Sequence, residues 1–155
     1  MELGGTSPKG IVALRRSNTD MDISAWDVAR DLPHGFVYWM KPGVIVGWPD
    51  DGVVETVDLS QIVWDAYSEC AKEFGRPVGC VVFVDRLGDQ TADVRAFWQK
   101  IMTPDVLCCC ALVSTSFFAR AITAFFLGMR PPVVPTKMFG SEEDALAWVD
   151  GHLNP

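Results

Sequence analysis

The chain has 155 residues, enough for one domain with a substantial core, and its balance of 49% hydrophobic to 21% charged residues is that of a globular protein. A formal net charge of −7 argues against a nucleic-acid partner, because an acidic surface repels phosphate backbones. Beyond Arg15-Arg16 there is no run of Lys or Arg to make a polybasic membrane patch.

Residues 1–33 mix Gly, Ser, Thr, Asn and Asp with apolar residues of no steady period. They read as a flexible or loosely docked N-terminal extension, with a short strand at 10–14 and a short helix near 23–30. The apolar run at 11–14 is too short for a secretory signal, and the basic pair follows it instead of preceding it. Neither end carries a lipidation motif. Five cysteines in such a chain point to free thiols in a reducing compartment, hence a cytoplasmic location.

The domain is expected from His34 to Leu153. GFVYWM (35–40) and VIVGW (44–48) are rich in strand formers. Between them, Pro42 followed by Gly43 meets the demands of a type II turn, so the pair predicts a hairpin. Asp58-Leu59-Ser60-Gln61 reads as a capping box. The stripe Leu59, Ile62, Val63, Ala66, Tyr67, Cys70 and Phe74 then predicts a helix that Gly75 and Pro77 stop. Residues 78–84 form a short apolar run suited to a strand buried on both faces. After the loop 85–90, Thr91 is an expected N-cap for a helix with its stripe at Val94, Phe97, Trp98 and Ile101.

The stretch VLCCCALVSTSFFARAITAFFLGM (106–129) is long enough to span a membrane, but Ser114, Thr115, Ser116 and Arg120 interrupt it. It divides into a strand (106–113), a polar break and a helix (117–127) closed by Gly128 and Pro131-Pro132. A strand at 133–139 follows, placed at an edge by Pro135. The last helix begins with the acidic run after Ser141, where the helix dipole favours negative charge, and buries Ala145, Trp148, Val149 and His152. The order β-β-α-β-α-β-α-β-α predicts an α/β domain. Its sheet would be mixed but mostly parallel, with about five strands, an N-terminal hairpin and about four helices.

Three contiguous cysteines do not have the spacing of a structural zinc site. On a regular strand Cys108 and Cys110 face one side and Cys109 the other. With Cys70 on a helix face and Cys80 on a strand, all five read as core thiols, and no metal or cofactor is called for. The two histidines, His34 and His152, have no nucleophile marked beside them, and no phosphate loop, nucleophile elbow or zinc-protease motif is present. Asp50, Asp51, Glu142, Glu143 and Asp144 have sufficient roles in turns and helix starts. Asp85 differs: it ends an expected central parallel strand, where open α/β sheets place their sites.

Residues 34–153 resemble the STAS-like (anti-sigma-factor-antagonist-like) superfamily, near the small bacterial STAS/CRAL-TRIO-like domains of unknown function. The resemblance rests on RPVGCVVFVD (76–85), TADVRAF (91–97), FFLGMRPPVVPTKMF (125–139) and EDALAWV (143–149). It implies a non-enzymatic binding module that mediates protein–protein interaction in bacterial regulation. Antagonist domains carry a phosphorylatable Ser in the loop matching Asp85, Arg86, Leu87, Gly88, Asp89, Gln90 and Thr91. Here only Thr91 has a hydroxyl, so that loop is expected to be an interaction or regulatory surface without the phosphoserine motif. The alternative is a lipid or small hydrophobic ligand. The helix 117–127 is apolar nearly all round, and Phe117, Phe118, Ala121, Ile122, Phe125 and Phe126 would form a ligand face or a homodimer face.

Overall fold

A computed structural model of the chain describes residues 21–88, 90–117, 119–121 and 132–155. The strand expected at 10–14 and most of the helix expected at 117–127 lie outside these residues.

Strands β1 (Asp27–Leu32), β2 (Gly35–Lys41), β3 (Val44–Pro49), β4 (Val78–Phe83), β5 (Leu107–Val113) and β6 (Thr136–Phe139) form one sheet, ordered as they follow in the chain. The first three pair antiparallel and the last four parallel. Helices α1 (Val57–Phe74), α2 (Ala92–Ile101) and α3 (Glu142–Leu153) follow β3, β4 and β6. A further helix opens at Phe117. The mixed, mostly parallel α/β fold is therefore as expected, with one strand more among the described residues.

That extra strand corrects the reading of the N-terminal segment. The helix expected near 23–30 is instead β1, so the sheet begins before His34. Ile23 and Trp26, 2% and 6% exposed, belong to the core. Strand formation here follows from pairing with β2, which overrides a local sequence of weak strand propensity. Arg30 ties β1 to α1 through Glu69 (2.9 Å) and Glu73 (3.1 Å).

The hairpin forms as expected, with Gly43 at φ 82° in the turn. The first helix starts earlier than the sequence pattern suggests. Thr56, not Asp58, is its N-cap, and its side chain accepts the Leu59 N–H at 3.2 Å. Gly75 closes that helix as anticipated. The edge strand β6 starts at Thr136, so Pro135 stands before it rather than within it.

Parallel strands that step along the sheet in chain order, joined by right-handed crossovers, put their helices on one face. Trp64, Ala66, Tyr67 and Cys70 of α1, with Trp98 of α2, pack there on Val37, Ile45, Val78 and Cys80. The opposite face is covered by α3 through Ala145, Val149 and Leu153, beside an aromatic group of Trp26, Tyr38, Trp48 and Phe83. Close approach of α3 requires Gly79, where a Cβ would lie 2.3 Å from Val149 Cγ1.

The strand β5 breaks the expected alternation of its cysteines. Val78 pairs with Leu107 but Gly79 pairs with Cys109, so Cys108 is the extra residue of a bulge. Cys108 and Cys109 consequently pack against the same α3-side cluster, and Cys110 points to the other.

Candidate functional site

Because β3, β4 and β5 run parallel side by side, the loops that leave them emerge at one edge of the sheet. Open α/β sheets place their sites at this edge. Here three loops, 50–56, 84–91 and 114–116, are tied to one another by side chains that reach across.

Asp85 lies in a 3-10 turn (Val84–Arg86) directly after β4. One carboxylate oxygen accepts from Ser114 Oγ at 2.5 Å, and the other from the Thr115 amide (2.8 Å) and Thr115 Oγ1 (2.9 Å). Desolvation resists ionisation. The Ser114 and Thr115 hydrogen bonds and the charge of Arg120 outweigh it and hold the carboxyl below its usual range. Arg120 in turn donates to the Ser114 carbonyl at 2.9 Å, and Ser116 Oγ caps the following helix through the Ala119 amide. Asp85 is thus a tie between the β4 and β5 loops, with both oxygens engaged.

Arg86 reaches the other way. Its side chain is 4% exposed, its guanidinium lies 4.1 Å from the Trp48 ring centroid, and Nη2 donates to the Pro49 carbonyl (2.7 Å) and pairs with Asp51 (3.3 Å). Gln90 makes a second link to the β3 loop by donating to Glu55 at 2.7 Å. Glu55 also accepts from the buried Ser60 hydroxyl (2.5 Å) and from Trp98 Nε1 (2.6 Å), which brings α1 and α2 into the same network. Leu87 closes the 3-10 turn with a bond to the Val84 carbonyl, Gly88 is exposed, and Asp89 lies outside the described residues. Thr91 occupies the N-cap position of α2 without making the expected cap bond. Its hydroxyl donates to Asp93, which itself accepts the Val94 amide.

Of the second expected face, Phe117 is 77% exposed and Ala121 is also exposed, while Phe118, Ile122, Phe125 and Phe126 lie outside the described residues. Sequence reasoning missed Glu55, whose four-point network joins residues up to 43 positions apart and leaves no local pattern. It also missed Val54, an apolar residue 73% exposed in the β3 loop.

The cysteines divide by environment. Burial pushes the Cys70 thiol up to about 11. Cys80 is raised by its hydrogen bond with Cys110 and then by burial. These are protonated core thiols. Cys108 is only partly buried, with its sulfur 3.9 Å from that of Cys109. The Cys109 hydrogen bond, helped by His152 and Arg76, draws the Cys108 thiol down to about 7 despite opposing burial, while Cys109 is pushed up. His152 sits over Trp148 at 4.3 Å, with Nδ1 3.2 Å from the Trp148 carbonyl. His34 lies in the β1–β2 turn, where its carbonyl accepts the Asp50 amide. Among the described residues no three His, Cys, Asp or Glu side chains group to hold a metal ion, and no helix is long and apolar enough to cross a membrane. An open depression of about 390 Å³, lined by Ser68, Lys72, Arg76 and Asp105 among others, lies at the opposite end of the parallel strands.

A family described as a domain of unknown function (DUF7793) matches residues 38–153. The chain belongs to this family. The match starts inside β2, so β1 precedes it, while all three tied loops of this DUF7793 domain fall within it. No curated protein and no solved structure matches the chain.

Proposed function

We propose that the chain is a non-enzymatic binding module of STAS-like type that works by protein–protein contact in the cytoplasm, through the edge formed by loops 50–56, 84–91 and 114–116 together with Phe117, the first residue of the helix that follows. One observation carries the reading. Val54 and Phe117, 73% and 77% exposed, stand on either side of a loop whose ends are tied down by Asp85, Arg86 and Gln90. Exposed apolar side chains on a pre-ordered backbone are what a protein interface uses, since ordering has been met before binding. The carboxylates there support this use as well: Asp85 and Glu55 have their oxygens engaged in holding loops together. The net charge of −7 favours a partner with basic groups around an apolar centre.

The test is affinity purification from cells that make the protein naturally, comparing wild type with Val54→Asp/Phe117→Asp. The reading expects one stoichiometric protein partner, lost from the variant while the thermal midpoint is unchanged. Equal recovery of that partner by both proteins would sink it. So would a co-purified lipid that survives the substitution, or a homodimer of unchanged mass in place of a partner.

A further inference from the structure

We propose that Cys108 and Cys109 form a hydroperoxide-responsive vicinal dithiol, with Cys108 as the attacking sulfur and Cys109 as the resolving one. The inference is independent of the proposed interaction edge, because the pair lies near the start of β5, at the other end of the sheet.

Three observations carry it. Neighbouring residues on a regular strand point to opposite faces, so adjacent cysteines are normally kept apart. The bulge that pairs Gly79 with Cys109 removes this separation, and both thiols come to one face with sulfurs 3.9 Å apart. The pair is also asymmetric. Cys108 is partly exposed, whereas Cys109 is 0% exposed and packs beside Gly79 under Val149 of α3. Cys108 is thus the more accessible of the two to a soluble oxidant, and Cys109 is shielded from it. Finally, Cys108 ionises more readily than an ordinary thiol, because of its hydrogen bond with Cys109, helped by the nearby His152 and Arg76.

The chemistry balances with a hydroperoxide as the named oxidant. The Cys108 thiolate attacks the distal peroxide oxygen; the O–O bond breaks, and water or an alcohol leaves after taking up a proton. Cys108 becomes a sulfenic acid. The Cys109 sulfur then attacks that sulfur, the S–O bond breaks, and the Cys109 proton leaves with the hydroxide as water. In sum, two thiols lose two hydrogens and the peroxide gains them. Vicinal Cα atoms lie about 3.8 Å apart, closer than in most disulfides, so the product is strained and easily reduced. Such a bond suits a reversible signal better than a structural staple.

The test uses the full reduced chain, hydrogen peroxide near neutral pH, and intact and peptide mass spectrometry. The proposal expects loss of two hydrogens, reversed by dithiothreitol, on the peptide that holds these cysteines. Cys108→Ser should abolish the change and slow thiol loss at least ~10-fold, while Cys80→Ser and Cys110→Ser should leave it intact. Because Cys108 is partly exposed, its serine variant should fold, which near-UV circular dichroism checks. Phenylarsine oxide provides a probe on the unaltered chain, since a trivalent arsenical needs two adjacent thiols. Wild type should bind one equivalent, and Cys108→Ser none. Oxygen addition at Cys108 without loss of hydrogens, a Cys80–Cys110 bridge instead, or no arsenical binding would each overturn the proposal.

Discussion

Replacing Glu55 tests whether the strand-end loops are held together as described. Glu55→Ala removes the acceptor of Ser60 Oγ, Trp98 Nε1 and Gln90 Nε2. Ser60 is 0% exposed, so its hydroxyl loses a partner that water cannot replace. Trp98 is partly buried and loses part of its bond's worth, whereas Gln90 can turn to solvent. An orphaned buried donor costs about 1–3 kcal/mol, so the sum comes to about 2–4 kcal/mol. With a urea slope near 2 kcal/mol per molar, the unfolding midpoint should fall by about 1–2 M. Glu55→Gln should behave differently. Ser60 and Trp98 share the oxygen Oε2, whose place the amide oxygen can take, and the new amide nitrogen faces Gln90, which can flip to present its own oxygen. That variant should lose no more than about 1 kcal/mol. Urea titration by circular dichroism measures both, and hydrogen exchange should show the amides of 84–90 opening faster in Glu55→Ala alone. An alanine variant within about 0.5 kcal/mol of wild type, or a glutamine variant as damaged as the alanine one, would refute the reasoning.

Other perturbations read other parts of the account. The Asp85 carboxyl is depressed in the folded state, so its contribution is complete above the unfolded value of about 3.9 and is lost as pH falls through the lower folded value. Asp85→Asn should therefore be less stable than wild type at pH 7, with the gap closing toward pH 3; a gap that does not change with pH would contradict this. Gly79→Ala places a Cβ 2.3 Å from Val149 and should cost about 1–3 kcal/mol, part of it recovered by Val149→Ala in a double-mutant cycle. Trp26→Ala, in the segment before β1, should cost about 3–5 kcal/mol in urea unfolding, since its indole is 6% exposed among Tyr38, Trp48 and Phe83. A change under about 1 kcal/mol there would mean that this segment is only loosely docked after all.

Elements whose shape is set locally were readable from the sequence. The turn at Pro42-Gly43, the stop at Gly75 and the helix start after Ser141 all sit where residue chemistry demands them, and the Ser141 hydroxyl accepts the Asp144 amide at 3.2 Å. The parallel order followed from alternating periodicities. What escaped depends on distant partners. DVARDL shows no alternation of its own and becomes β1 only because β2 offers an open edge. The bulge at Cys108 arises from the register between β4 and β5, which three identical residues in a row cannot reveal. Asp85 stood out because it ends a central strand, yet its partners Ser114 and Thr115 and the whole Glu55 network come together only in the folded chain.

The central claim is that this edge meets a protein. A photo-crosslinking amino acid placed in turn at positions 54 and 117, and at Lys72 and Asp105 beside the depression at the opposite end, tests it inside cells that make the protein naturally. The account predicts one protein adduct of the same mass from positions 54 and 117, and none from 72 or 105. Adducts from the opposite end alone, or no adduct from the edge under conditions where the chain is folded and abundant, would contradict it.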